Sequence, residues 1–189
     1  MKRIAIFASG SGTNAENIIK FFQSSKTATV TRVLSNNEHA KVLERSKNLK
    51  INTFTFNKDL FFNSNNIVNL LKEEADYIVL AGFLWKIPAN IINAFPNKIV
   101  NIHPALLPKY GGKGMYGMHV HKAVKNNKES ETGITIHYVN ENYDEGAIIF
   151  QAKTDVENDD TPEDIAQKVH ALEHKYFPKI IEELIRNNE

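Results

Sequence analysis

"DYIVLAGFLWKIPANIINAFPNKIVNIHP" spans residues 76–104, and its reading decides the fold. It opens on "DYIVLAGF", an apolar run without polar alternation. A strand that reads this way is buried on both faces, as strands of parallel sheets are. A short helical stretch, "ANIINAF", follows, and then a second strand, "NKIVNIH". The same rhythm extends toward the N-terminus. Arg3–Ser9, "ATVTRVLS" (28–35) and "INTFTF" (51–56) read as strands. "AENIIKFFQ", "EHAKVLERSKNL" and "NSNNIVNLLKEE" read as helices, the first turning Ile18, Ile19, Phe21 and Phe22 inward. Strands alternating with helices predict an α/β fold: a Rossmann-like, mostly parallel twisted sheet with helices on both faces.

Past Pro104 the rhythm changes. A glycine-rich loop runs to about Gly117, and "HVHKAVKNN" suggests a helix. "GITIHYVN" and "AIIFQAKTDV" are alternating strands joined by "ENYDEG", which predicts antiparallel strands added to the sheet near the C-terminus. The closing segment from Thr161 reads as a helix, with Thr161 as N-cap, Pro162 at N1 and Asp164 completing a capping box. Pro178 is expected to kink or break it.

The 189 residues predict one domain, 1–189, with a phosphate-binding half at 1–100 and a catalytic half at 101–189. Twenty-three basic and 22 acidic residues give a net charge of +1, so nothing in the balance favours nucleic acid or a membrane surface. Cysteine is absent. That excludes disulfides, thiolate metal sites and a cysteine nucleophile, and it fits a cytoplasmic location. "MKRIAIFASGSG" begins like a signal peptide, but its apolar run is too short and ends in glycines. No stretch approaches the ~18 apolar residues of a membrane span.

"GSGTNAEN" (10–17) follows the first strand and opens the first helix. Backbone amides and the positive helix end make an anion site there. Gly10-x-Gly12-x-x-Ala15 also fits a relaxed dinucleotide fingerprint, but the ribose-binding acid expected about 20 residues on is replaced by Ser35-Asn36-Asn37. No lysine follows the glycines, so the Walker pattern fails too. A single phosphate is favoured over a nicotinamide cofactor, and an unliganded tight turn is the bland alternative.

Asn101 and His103 close the strand "NKIVNIH", at the sheet edge where ligands of open α/β folds bind. Two apart on an extended chain, they share a face, and Pro104 holds His103 extended. Histidine moves protons near neutrality, and an asparagine amide can donate to a developing oxyanion. A carboxylate would complete the set by orienting the imidazole. Asp144 is the best candidate, with Glu141 and Glu145 as alternatives. No nucleophile accompanies them, which suits a substrate nucleophile attacking a bound carbonyl. The alternative is that His103 and Asn101 only satisfy backbone. His119 and His121 could serve zinc, but neighbours i and i+2 on a helix diverge, so no metal is expected. His39, His137 and His170 read as surface or core residues with local partners.

With these residues in view, the chain resembles the phosphoribosylglycinamide formyltransferase family, folate-dependent enzymes of purine synthesis. "GSGTN" (10–14), "LAGFLWKIP" (80–88), "NIHPALLPKY" (101–110) and "YDEGAIIFQAK" (143–153) carry the resemblance, and "EHKYFP" (173–178) adds to it. It implies transfer of a formyl group from 10-formyltetrahydrofolate to the substrate amine. Asn101 and His103 would stabilise the tetrahedral intermediate, with His103 as the acid for the departing folate nitrogen. Asp144 would orient His103 and raise its basicity. Gly12, Thr13 and Asn14 would hold the ribose phosphate, and Glu173 the ribose hydroxyls. Leu84, Trp85, Lys86 and Ile87 would line the folate pocket together with Asn101. The loop Asn140–Asp144, with Asn140, Glu141 and Tyr143, would close its other side.

Small-molecule substrates, no metal, no nicotinamide, no nucleic acid and no membrane follow as expectations, with a monomer or homodimer. The chain departs from the family pattern in three places: Gly111–Met118 is longer, Glu145 stands where glycine is usual, and Lys58 is the nearest cation to the folate tail, one place off. A formyltetrahydrofolate hydrolase, a formyltransferase of a different amine and a non-catalytic phosphate-ligand binding protein are the alternatives. A tRNA-formylating relative would be expected to carry a further domain and more basic residues.

Overall fold

The computed structural model describes residues 1–188. Among these, seven strands, β1 (Lys2–Phe7), β2 (Ala28–Ser35), β3 (Asn52–Thr55), β4 (Tyr77–Leu80), β5 (Ile99–His103), β6 (Glu131–Tyr138) and β7 (Ile148–Asp155), form one sheet in the order β3-β2-β1-β4-β5-β6-β7. β1 to β5 run parallel, whereas β6 and β7 add to the edge antiparallel. The helices are α1 (Thr13–Ser25), α2 (Lys41–Asn48), α3 (Lys58–Phe62), α4 (Asn66–Glu74), α5 (Ala89–Ala94), α6 (Met118–Asn126) and α7 (Pro162–Asn187).

The unbroken apolar reading of β1 and β4 has a simple cause. Successive side chains enter opposite layers. Ile4, Ile6 and Val79 pack in one layer with Ile18 of α1, Val120 of α6 and Phe177 of α7. Ala5, Phe7 and Ile78 pack in the other with Phe61 of α3, Leu71 of α4 and Ile91 of α5. Each fully buried side chain of this size contributes about 1.5–3 kcal/mol. Both layers are therefore needed, and the sheet is covered on both faces.

Two features differ from the sequence expectation. The short helix α3 was not anticipated; at five residues it carries too little periodicity to read. Asn57 caps it by accepting the Leu60 N–H at 2.9 Å, and it buries Phe61. The second difference concerns Pro178, which does not break α7: the helix continues through it to Asn187. Proline lacks the N–H that would pair with the carbonyl four residues earlier. That carbonyl belongs to His174, and the Asn17 side chain of α1 donates to it at 2.8 Å. The break is thus repaired from a neighbouring helix. The capping box at Thr161 and Asp164 forms as expected. Glu189, the last residue of the anticipated helix, lies outside the described residues.

Candidate active site

A cavity of about 880 Å³ opens where the parallel strands end. It is bounded by the glycine turn after β1, the segment after β4, the end of β5, the loop before α6, the β6–β7 turn and one side of α7. The glycine turn is fixed by backbone geometry. Gly12 has φ of +75° and caps α1 without any side-chain hydrogen bond. A Cβ at this position would run into Val42 of α2, whose N–H donates to the Gly10 carbonyl at 3.1 Å. The first-turn amides of α1 are thus left without a side-chain cap beside the cavity, as an anion site requires.

Glu173 is drawn to this turn by α1. The Asn14 amide donates to Glu173 Oε2 at 2.8 Å, and His170 Nδ1 lies 3.0 Å from the same oxygen. That contact holds His170 above the ordinary histidine value, against the opposing effect of its burial. Gly12, Thr13, Asn14, His170 and Glu173 therefore line one end of the cavity.

Asn101 and His103 meet the cavity at the end of β5. Asn101 faces His137 across the antiparallel β5–β6 pair, and His103 faces Thr135. The His137 ring settles the Asn101 amide. His137 Nδ1 lies 2.8 Å from the Tyr138 carbonyl, which can only accept, so Nδ1 carries the proton. Nε2 is then free to accept from Asn101 Nδ2 at 3.0 Å. One N–H of the Asn101 amide is committed and the other is available to a ligand.

His103 is buried, and both its ring nitrogens have protein neighbours. Nε2 donates to the Tyr110 carbonyl at 2.7 Å, and Nδ1 lies 3.5 Å from Asp144 Oδ2. A proton added to Nδ1 would meet a carboxylate. Burial lowers the His103 pKa, Asp144 and the Tyr110 carbonyl oppose this, and the net value is below the ordinary one. Asp144 pushes basicity upward as the resemblance implies, but desolvation is the larger effect.

Burial by itself raises the Asp144 carboxyl. His137 Nε2 lies 3.6 Å from Asp144 Oδ1 but, accepting from Asn101, has no proton to give it; His103 and the Gly112 N–H, which donates at 2.9 Å, hold the carboxyl below the usual carboxylate range. Asp144 adopts φ of +55°, and Gly146 beyond it packs against the Tyr138 carbonyl where no Cβ would fit. The turn is thus built to present this carboxylate. Glu141 and Glu145, the other candidates for the role, are exposed and outside the cavity wall.

The folate-side residues fall as follows. Leu84, Trp85, Lys86, Ile87, Asn140 and Tyr143 line the cavity. Trp85 also packs against Phe56, Phe61, Phe62 and Phe83, so it is both wall and core edge. The Leu84 N–H donates to Ser9 Oγ at 3.1 Å, tying this segment to the glycine turn. Lys58 is exposed on α3 and does not line the cavity. The loop Gly112–Met118 does line it. His119 and His121 diverge: His119 is exposed against Tyr116, and His121 is buried in the wall.

His137 and His170, read from the sequence as surface or core residues with local partners, have such partners and also stand in the cavity wall. "GITIHYVN" read as an alternating strand, but nothing in it says that His137 would face Asn101.

Residues 2–181 match the family described as formyl transferase. The phosphoribosylglycinamide formyltransferase of Bacillus subtilis is 36% identical over 194 residues, covering 100% of this chain and 97% of that protein. The chloroplastic phosphoribosylglycinamide formyltransferase of Arabidopsis thaliana is 38% identical over 187 residues; the match covers 95% of this chain and 64% of the plant protein's length. The crystal structure of phosphoribosylglycinamide formyltransferase from Bacillus halodurans superposes with a TM-score of 0.88 at 36% identity, covering 100% of this chain and 97% of that one.

Proposed function

The chain belongs to the formyl transferase family, and from that premise we propose that it moves a formyl group from 10-formyltetrahydrofolate to the amine of 5-phosphoribosylglycinamide, a step of purine biosynthesis. One observation carries this reading: Asn101, His103 and Asp144 share a single cavity with the uncapped start of α1 and with Glu173. An acyl-transfer centre and a phosphate-and-ribose end are thus parts of one site.

In this reading the residues divide the work as follows. The ribose phosphate sits on the amides of Gly12, Thr13 and Asn14, and Glu173 takes the ribose hydroxyls. The folate enters along Leu84–Ile87 and the Asn140–Asp144 turn. The substrate amine attacks the formyl carbon, forming a C–N bond and pushing the carbonyl electrons onto oxygen. The uncommitted Asn101 N–H donates to that oxyanion. His103 accepts a proton as the amine loses one, and Asp144 stabilises the imidazolium at Nδ1. Collapse breaks the bond to the folate nitrogen, which takes the proton. The products are formylglycinamide ribonucleotide and tetrahydrofolate.

No other co-reactant is needed, and no metal or nicotinamide takes part. Among the described residues no helix is long and apolar enough to cross a membrane. We place the enzyme in the cytoplasm with its small-molecule substrates, as a monomer or homodimer. It forms one domain, with residues 1–100 supplying the phosphate turn and 101–189 the catalytic residues.

Following absorbance as the folate loses its formyl group, with and without the ribonucleotide, tests this reading. Loss only in the presence of ribonucleotide is expected. Equal loss in both would identify a hydrolase, and no loss in either would favour a binding protein.

A further inference from the structure

The helix that starts at the glycine turn carries a carboxylate close behind it. Glu16 lies in the first turn of α1, where its charge would repel a phosphate drawn to the same helix end. The fold supplies two cations against it. Lys20 lies 2.6 Å from Glu16 Oε1, and the Arg45 guanidinium of α2 pairs with Oε2. These contacts hold Glu16 below the usual carboxylate range, so it is ionised at neutral pH. The two cations are not equivalent. Lys20 is the more exposed, and its contact stays within α1. Arg45 also donates from Nε to the Ser11 carbonyl at 2.9 Å. One guanidinium therefore bridges the carboxylate and the middle of the glycine turn, as its fork of donors allows.

Arg45 and Glu16 both lie outside the cavity wall, whereas residues 10–14 line it. The pair therefore acts on the cavity through the turn. We infer that Arg45 is a positioning residue for the ribose phosphate: fixed to the Ser11 carbonyl, it cancels the Glu16 charge beside the anion site and lets a dianion rest on the turn amides. This rests on the proposed function above. The Ser11 contact adds a smaller effect. α2 takes the Gly10 carbonyl through the Val42 N–H and the Ser11 carbonyl through Arg45. In a trans peptide the carbonyl and the next N–H point opposite ways. The N–H groups of Ser11 and Gly12 are thus directed away from α2.

Charge and packing separate by substitution. Arg45→Met keeps the apolar stem and removes the charge. By calorimetry it should weaken binding of 5-phosphoribosylglycinamide about 10-fold, with the affinity for 10-formyltetrahydrofolate changed less than about 2-fold. Adding Glu16→Gln to Arg45→Met should restore affinity to within about 3-fold of wild type, the remainder being the lost Ser11 contact. The Arg45→Met loss should also shrink as salt is raised from about 0.05 to about 0.5 M; a merely structural role would respond to neither change. Glu16→Gln alone should tighten ribonucleotide binding, and this stands even should Arg45→Met fail to fold. Wild-type affinity in Arg45→Met, a loss that neither Glu16→Gln nor salt relieves, or binding no tighter than wild type in Glu16→Gln would overturn the inference. Each of these defeats this assignment alone, while absence of ribonucleotide binding to the wild-type protein defeats the proposed function with it.

Discussion

His103 sits between a carbonyl that fixes its Nε2 proton and a carboxylate that awaits one at Nδ1. Removing the ring should remove catalysis and spare binding. His103→Ala is expected to lower turnover by about 10²-fold or more, with ribonucleotide affinity by calorimetry nearly unchanged; near-normal turnover would dismiss the acid–base role. Asp144→Asn keeps the shape but deletes the charge that raises His103, so the His103 pKa should fall further below its ordinary value. Turnover should drop and the acid limb of its pH profile should shift to lower pH. An unmoved profile would mean that Asp144 does not act on His103. At this scale the sequence was readable where chemistry and strand position coincide: Asn101 and His103 close a strand that reads plainly, and a proline follows. His137 was not readable in the same way. Its partnership with Asn101 depends on the β5–β6 register, which hydrophobic pattern leaves open. His121 required the rotation of α6 against the cavity, which its neighbour His119 obscures.

Among the elements, α1 does most to assemble the proposed ribonucleotide end, because Asn14 and Asn17 reach Glu173 and His174 of α7. The Asn17 contact replaces the backbone bond that Pro178 removes. Asn17→Ala should therefore lower stability by about 1–3 kcal/mol, the cost of leaving a carbonyl unpaired. In a Pro178→Ala background the restored N–H can pair with the His174 carbonyl, so the Asn17→Ala penalty should shrink. A double-mutant cycle by denaturant unfolding measures this, and additive effects would show that the two residues are not linked. Gly12 is tied to its turn by a positive φ and by Val42. Gly12→Ala should cost about 1–3 kcal/mol of stability and weaken ribonucleotide binding; wild-type affinity would show that the turn does not hold the phosphate. The Thr161 cap and the alternating β6–β7 pair were legible because they rest on local rules. The continuity of α7 was not, because the group that rescues it lies 157 residues away in sequence.

For the molecule as a whole, burial of ionisable groups sets the response to acid. His103, His121 and His174 are lowered by burial. Their unfolded forms take up protons first, so stability should fall as pH drops below about 6.5. His170 is raised and opposes this: its contribution is fully present below about 6.5 and is lost as pH rises through its folded value. Three groups against one predict a lower thermal midpoint at pH 5.5 than at pH 7.5, with a further loss below about 4 as Asp144 protonates. A flat midpoint over this range would contradict the burial of those rings. The architecture was legible because apolar runs and helical periods alternate along the chain, whereas the joining of six segments around one cavity is a property of the folded sheet. The central claim is that this cavity passes a formyl group directly to a ribonucleotide amine. The measurement that tests it is the fate of a ¹³C-labelled formyl group on the folate, followed by NMR in the presence of 5-phosphoribosylglycinamide. The account predicts that the label appears in the formamide of the ribonucleotide product, and label recovered as free formate would contradict it.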